Sequence, residues 1–476
     1  MISYARAIAG LFGAALCHIA AIGLCCAGTA KGIPSDSLKL NLKQAIELAR
    51  SNFPSIKARM SAAKASTYQY AAAKTERLPD LNAMQQVTYA SNNGLNGTYF
   101  GASGLAIPTS GSVKPSNTYQ GTFGSFTTLL LNWNVFNFGL VKANINVYKS
   151  LVDQSQADLE NEIFQQQIKA ADAYLLLLID QKLLEAEQKN FQRAGVFLRV
   201  VRAGASGGLR PGVDTSIFKA EYSKAEILVL QSQGEVLRQQ NRLEYALGFV
   251  NSPVKIDTSY LNHVLPAIPE NDSLNVHINP LLTIYESRIN LSQARARLSG
   301  DSWLPQLSLL GGTWGRGSGI DRETGIYNSS FSKGVSFQTY NYLVGFTLSW
   351  NITSLFRRGK LYKAALEEVK SDQFLYKTQE LGLKTDFRNA QISAEISVQQ
   401  ALEAPVQLNA AQNAYNQADA RYASGLSSIP ELAQAYYLLN RAEIDQLIAI
   451  NNVWRSLLLE SAASGELNIF LSQIKQ

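Results

Sequence analysis

The sequence predicts an α+β membrane protein in which one unit, made of long α-helices and a pair of β-strands, occurs twice. Three observations predict this fold. Proline and tryptophan landmarks recur at equal spacings, apolar residues alternate over short segments in each half, and helical patterns of sixty-odd residues follow these segments. A helix of that length extends on the order of 100 Å and cannot be buried in one globular core.

Composition excludes several classes of protein. The 476 residues carry a net charge of +6, and only 17% of them are charged. So mild a charge over this length does not favour a nucleic-acid partner. The 33 glycines and the near-zero mean hydropathy of −0.07 argue against both a disordered tail and a bundle of membrane-spanning helices.

Residues 1–30 have the pattern of a secretory signal peptide, with Arg6 followed by an apolar run and then small residues. Cleavage near Ala30 is predicted; the alternative is an uncleaved anchor, since the run approaches the length of a membrane span. All three cysteines, Cys17, Cys25 and Cys26, lie in this segment, so the mature chain would have no thiol. Lipidation of Cys25 or Cys26 is a further alternative, disfavoured by the residues before them.

The repeat rests on two pairs of equal spacings. Pro54 and Pro79 have the same sequence separation as Pro280 and Pro305, and Trp133 and Gly208 have the same separation as Trp350 and Gly425. The offset between the copies is larger at the prolines than at the tryptophans, so the second copy is shorter by nine positions between these landmarks.

Each copy is expected to contain the same elements in the same order. The first copy, residues 31–247, has a helix at 41–77, a strand pair within 80–139, a long helix at 141–202, a tip turn at 203–213 and a return helix at 214–247. The second copy, residues 279–463, has a helix, a strand pair within 306–353, a long helix at 356–422, a tip turn at 423–430 and a return helix at 430–463. Loops rich in Gly, Ser, Asn and Thr are predicted at 91–116 and 319–338. Residues 248–278 join the copies, and 464–476 form a tail.

The strand segments have one apolar face and one small or polar face, which suits lipid on one side and a water-filled lumen on the other. Aromatic residues at their ends suit a membrane interface: Tyr119, Trp133, Phe136, Phe138, Tyr340, Tyr342 and Trp350. The alternative is the edge of a soluble sandwich. Four strands cannot close a barrel, so a membrane barrel would pool strands from two or three chains. The long helices fit either a tube or a coiled-coil rod, and the strand pairs favour the tube.

These residues resemble a known family over nearly all of the mature chain. The marks are LNLKQAIELARSNFP at 40–54, the Leu78-Pro79 and Leu304-Pro305 steps into strands, WNVFNFG at 133–139 and RYASGLSSIPELAQA at 421–435. The chain resembles the TolC-type outer-membrane factors. Two features depart from the family pattern: residues 353–360 replace a glycine-containing turn, and Phe218 stands where the first tip usually has a small residue.

The resemblance implies a homotrimer with a 12-stranded barrel in the cell outer membrane, continuous with an α-helical barrel in the periplasm. Residues 248–277 and the tail would form an equatorial belt. The implied function is a passive exit duct of an efflux or type I secretion system, with small-molecule efflux favoured over protein export. The duct would receive substrates from an inner-membrane pump of the RND or ABC type through a periplasmic adaptor. Partners would therefore include adaptor, pump and outer-membrane lipid, with no nucleic acid. The alternative is a periplasmic structural or adhesive rod.

The resemblance also implies a periplasmic gate at the helical tips. Glu431 and Asp214 each lie six residues after a tip glycine, and Arg210 lies two after Gly208. The neutral Gln434 replaces a second acidic residue, so one carboxylate ring per trimer and a preference for cations are expected. An alternative for Glu431 is a capping box, with Ser428 as the cap and Pro430 as the first helical residue.

The tip residues are expected to dock the adaptor: Gly207, Gly208, Leu209, Gly425, Leu426 and Ser427. Enzyme hypotheses find no support in the sequence. The G-x-S-x-G match at 204–208 lies between helices, and only His263 and His277 lie beyond the signal peptide. The glycines at 311–319 lack the lysine of a phosphate loop, and no metal-ligand cluster or cofactor motif is present in the sequence.

Overall fold

The computed structural model of the chain describes residues 39–91, 116–208, 211–250, 254–257, 265–266, 278–321 and 323–474. The predicted signal peptide with its three cysteines, Leu209, Arg210 and both histidines of the mature chain lie outside the described residues. So do most of the predicted loop at 91–116 and most of the segment between the copies. Among the described helices, none combines the length and apolar character needed to cross a membrane.

The first copy is built from paired helices around a strand pair. Its elements are β1 (Lys39–Leu40), α1 (Leu42–Asn52), α2 (Pro54–Thr75), β2 (Asp80–Ala90), β3 (Thr122–Phe136), α3 (Leu140–Ser206) and α4 (Gly212–Ala246). A short strand, β4 (Lys255–Ile256), follows and pairs with β1 in parallel. The predicted single helix at 41–77 is wrong: Phe53 adopts φ −64° and ψ 128°, and a new helix begins at Pro54. A residue before proline is disfavoured in the helical region, which explains the break.

The second copy repeats the order of helix, two strands, long helix and return helix, with one short helix between the strands and another after the return helix. Its elements are α5 (Pro280–Asp301), β5 (Gln306–Ser318), α6 (Phe331–Val335), β6 (Thr339–Ser349), α7 (Ser354–Ala423), α8 (Ile429–Ser464) and α9 (Leu467–Gln473). The two predicted long helices are therefore present, with 67 residues in α3 and 70 in α7. The predicted loop at 319–338 is not purely irregular, because α6 forms within it and Ile320 bridges to Tyr327.

Hydrogen bonds in the structure reproduce the repeat. Trp133 Nε1 donates to the carbonyl oxygen of Arg77 over 2.9 Å, and Trp350 Nε1 donates to that of Trp303 over 3.0 Å. Trp133 and Trp350 are separated by the offset that relates the later parts of the two copies. Their acceptors, Arg77 and Trp303, are separated by the offset that relates the earlier parts, at the prolines. Each bond ties the end of a strand nearest the long helices to the helix that precedes the strand pair.

The strands form one antiparallel sheet in the order β2-β3-β5-β6. The register pairs Leu131 with Gly311 and Leu309 with Phe346, which places the large apolar side chains of adjacent strands on the same face. Among the described strands, β2 and β6 each pair on one side only. The backbone groups on their other edges therefore have no strand partner within the described part of a single copy.

The helices continue the order of the strands. Helix α2 packs on α3, α3 on α5, and α5 on α7, so this layer also ends in two open edges. Away from the sheet, α3 pairs with α4 and α7 pairs with α8, and α3 also packs on α8. The described part of the chain thus extends from a sheet at one end to two helical tips at the other.

The largest core lies between the sheet and the tips. It is formed by α1, the β1-β4 pair, the middle of α3, and the ends of α4, α8 and α9. Tyr174 is fully buried there, and its hydroxyl lies 3.1 Å from the carbonyl oxygen of Leu40 and 2.8 Å from that of Asp257. Trp454 packs edge-on against Phe470 of the tail. Residues between the copies and residues of the tail therefore meet in one core.

The turn from strand to long helix differs between the copies. In the first copy, Phe138 and Gly139 adopt positive φ values of 49° and 98°. The second copy has no positive φ among residues 350–360; instead the Asn351 side chain accepts a hydrogen bond from the Ser354 amide over 3.1 Å. The departure at 353–360 thus removes the left-handed turn, and the helix still begins directly after the sheet.

Candidate functional site

Both helical tips turn at a glycine in the left-handed region. Gly208 has φ +69° and Gly425 has φ +75°, a conformation that residues with a side chain rarely adopt. At the second tip the Leu426 amide bonds back to the carbonyl oxygen of Arg421 over 2.8 Å, which closes the end of α7. The Leu426 side chain is 72% exposed. Gly207 and Gly208 are exposed as well, while Ser427 is half-buried.

The two predicted gate acids lie where expected, in the first turns of the return helices. Glu431 is exposed at the start of α8, and Asp214 is half-buried at the start of α4. A carboxylate in a first turn is stabilised by the helix dipole, so this position has a structural benefit of its own. The predicted contact with Arg210 involves a residue outside the described residues.

Ser428 is the N-cap residue of α8, as the capping-box alternative for Glu431 predicts, but the box itself does not form. The Ser428 side chain makes no capping hydrogen bond, and the helix begins at Ile429, so Pro430 is its second residue rather than its first. Proline has no amide hydrogen, which removes one of the donors that a serine cap could satisfy. Glu431 is therefore an exposed residue of the first turn that is not part of a capping box.

An aromatic cluster lies directly behind the tips. Phe218 is 1% exposed and stacks on Phe197, with ring centroids 5.6 Å apart. Leu432 and Tyr436 of α8 and Tyr422 of α7 complete the cluster. All four tip helices therefore contribute to this core. Phe218, the departure from the family pattern, fills a core between two helical hairpins, one formed by α3 and α4 and the other by α7 and α8.

A polar clamp, which sequence analysis missed, joins the first copy to the second above this cluster. Arg193 of α3 binds Glu443 of α8 through two hydrogen bonds of 2.8 Å and 2.5 Å. The Tyr436 hydroxyl donates to the backbone carbonyl oxygen of Asn190 over 2.5 Å. The hydrogen bonds with Glu443 raise the pKa of Arg193, and burial raises the pKa of Tyr436. Burial also raises the pKa of the neighbouring Glu187.

No sequence signal identifies this clamp, because its partners are 250 residues apart. The sequence offset between Trp133 and Trp350 does, however, show that the ion pair is specific to the contact between α3 and α8. By that offset, the counterpart of Glu443 in the first copy is Glu226, whereas the counterpart of Arg193 in the second is Ala410. The reciprocal contact, between α4 and α7, therefore cannot form the same ion pair.

The predicted interface aromatics lie at the two ends of the sheet. Trp133, Phe136, Phe138 and Trp350 are at the end that leads into the long helices, and each is between 37% and 53% exposed. Tyr342, 85% exposed, lies toward the opposite end. Trp133 and Trp350 have a second role that sequence analysis missed, since their indole N–H groups fix the helix-to-strand steps.

The structure gives no support to an active site at the G-x-S-x-G match, because residues 204–206 are the last turn of α3 rather than a strand-to-helix elbow. Among the described residues, no group of three His, Cys, Asp or Glu side chains could hold a metal ion.

Comparison with known proteins identifies the family. The family described as outer membrane efflux protein matches residues 45–249 and 277–458. A search of curated proteins found no match. Solved structures of similar fold include the outer-membrane channel OprN, at 18% identity and a TM-score of 0.73, with 89% of both chains covered.

Two further structures extend the likeness. CusC, studied for its folding and transmembrane channel formation, is 14% identical with a TM-score of 0.75, covering 92% of this chain and 96% of that one. The outer membrane protein VceC from Vibrio cholerae is 15% identical with a TM-score of 0.71, covering 89% and 96%. The predicted α+β fold with a duplicated unit is confirmed, and the family match supports a channel over a coiled-coil rod. The chain belongs to the outer membrane efflux protein family, and it is a channel of the cell outer membrane with a periplasmic extension.

Proposed function

We propose that three copies of this chain form a passive exit duct, with a 12-stranded barrel in the outer membrane and a helical tube in the periplasm. The observation that carries the proposal is the pair of open edges. In the described residues, the sheet and the helix layer run in the same order and both end unpaired, at β2 and α2 on one side and at β6 and α7 on the other. Unpaired strand edges are not tolerated in lipid, so the edges must join those of neighbouring copies.

The apolar residues exposed along one face of β6 support the membrane location. Tyr342, Val344, Phe346 and Leu348 are between 66% and 85% exposed in the single chain. A soluble protein rarely exposes such a continuous row, whereas lipid would cover it.

The duct works with two partners. A periplasmic adaptor docks on the exposed tip glycines and Leu426, and an inner-membrane pump of the RND or ABC type supplies the energy. Small molecules are the favoured cargo, with protein export as the second candidate. The chain itself performs no catalysis, because its role is to provide a continuous polar passage.

Planar-bilayer recording tests the proposal. Purified protein that migrates as a heat-sensitive trimer should insert and conduct ions in discrete steps. A trimer that never conducts, or a protein recovered only as a soluble monomer, would contradict the duct and favour the rod.

The same recording tests the gate. We expect Glu431→Gln to lower the cation preference by about twofold or more, since it removes three carboxylates from a narrow entrance. The matched control is Gln434→Ala, an exposed neutral position on the same turn, which should leave the reversal potential unchanged. Equal reversal potentials for Glu431→Gln and the wild type would refute the assignment of Glu431 to the gate.

A further inference from the structure

The inner face of the sheet carries almost no charge. Side chains alternate along each strand, and the register places the large apolar side chains of β6 on one face, with Leu309 and Leu131. The opposite face, which would line the lumen, is mostly small or polar. Its members in the two central strands are Thr122, Gly124, Phe126, Thr128, Leu130, Asn132 and Asn134 of β3, and Gln306, Ser308, Leu310, Gly312, Trp314, Arg316 and Ser318 of β5.

Arg316 is the only cationic residue of the four described strands on this face; Asp80, at the far end of β2, is the only anionic one. Arg316 pairs in register with Phe126 on one side and with Thr339 on the other. Arg316 is close to the end of β5. It lies roughly 33 Å along the strand from Gln306, the first residue of β5. Arg316 therefore lies at the external end of the barrel.

The Arg316 guanidinium is exposed. Its Cζ atom lies 5.9 Å from the centre of the Phe126 ring, a cation–π contact that holds the side chain against the wall. Within the described part of the chain no carboxylate forms an ion pair with it. The full positive charge is thus available to a solute in the lumen.

The neighbouring loop contacts this face at Thr122, whose hydroxyl donates to the carbonyl oxygen of Asn328 over 2.8 Å, and it also contacts the opposite face. The Ser125 hydroxyl donates to the carbonyl oxygen of Val335 over 3.0 Å. The Phe337 ring lies 3.2 Å from the position that a Cβ atom on Gly315 would occupy. Ser125, Gly315 and Gly317 belong to the apolar face, so the segment containing α6 packs against the outside of the sheet. The Arg316 side chain, on the face opposite to Ser125, remains exposed.

We propose that Arg316 is a charge-selecting residue at the external mouth, where three copies form a ring of positive charge that favours anionic solutes. This inference rests on the proposed trimeric duct. Rings of arginine are a general means of attracting anions into pores. Three such charges at about 10 Å from a solute in water, screened by physiological salt, favour an anion over a cation by about threefold. The duct would then prefer cations at the periplasmic tip and anions at the external mouth.

The test is the reversal potential of reconstituted trimers in a potassium chloride gradient. Arg316→Gln should lower the anion-to-cation permeability ratio by about threefold. Arg316→Lys, which keeps the charge, should retain the wild-type ratio, and both variants should retain the heat-sensitive trimer. A conducting Arg316→Gln trimer with an unchanged ratio would overturn this inference alone. A wild-type trimer that carries no current would overturn the proposed function, and the inference with it.

Discussion

Replacing Phe218 with alanine should destabilise the tip half of the helices by about 3–5 kcal/mol, the largest effect expected of a single substitution here. The side chain is almost completely buried and stacks on Phe197, between helices of both copies. Removing it leaves a cavity at the point where the two hairpins are joined. Hydrogen–deuterium exchange of peptides from α3, α4 and α8 should show faster exchange near the tips and little change near the sheet.

The matched control is Leu426→Ala at the second tip. This side chain is 72% exposed, so its removal should change stability by no more than about 0.5 kcal/mol. If Phe218→Ala exchanged no faster than Leu426→Ala, the cluster would not be the joint between the hairpins.

Breaking the clamp between Arg193 and Glu443 should have the second largest effect. Hydrogen bonds to charged groups contribute about 1.5–3 kcal/mol, and we expect a coupling near the lower end because these side chains retain 25% and 24% of their exposure. A double-mutant cycle with Arg193→Met and Glu443→Gln, followed by thermal unfolding, measures the coupling directly.

The exposed pair of Arg238 and Glu235 on α4 is the control for this cycle, since its side chains are 65% and 52% exposed. That pair should show no resolvable coupling. Equal coupling in both cycles would mean that the clamp is no more than a surface ion pair.

The clamp is also expected to affect how the proposed duct opens. It ties α3 to α8 within one chain, whereas Ala410 and Glu226 at the reciprocal positions cannot form the same pair. In a trimer, the contact between α4 and α7 would lie between neighbouring chains. The four tip helices of one chain are therefore expected to move together, and the contacts between chains are expected to separate first.

The repeat and the order of elements could be predicted from the sequence because both leave local marks. Pro54 and Pro280 begin helices in the two copies, and Trp133 and Trp350 end strand pairs at a fixed spacing from glycine turns. Such residues restrict the backbone wherever they occur, so their spacing survives even when other positions change.

The tertiary contacts could not be predicted in this way. Phe218 looked like a departure from the family pattern, and only the structure brings Phe197 and Leu432 against it. Ser428 matched a capping pattern, yet its side chain does not cap the helix. Arg193 and Glu443 have no local signal at all, because the pairing depends on how α3 and α8 pack.

Cross-linking the two open edges of the sheet tests the central claim most directly. The sequence has no cysteine beyond Cys26, so Ala83→Cys on β2 and Tyr342→Cys on β6 would introduce the only two thiols of the mature chain. These positions lie in one row across the sheet, about 14 Å apart over three strand spacings. A bis-maleimide too short to span that row can join them only between chains.

Three pooled sheets predict covalent dimers and trimers in outer-membrane preparations, with the trimer as the largest product, and no trimer from either single-cysteine variant. A product that remained monomeric, or a ladder that continued beyond the trimer, would contradict a closed barrel of three chains.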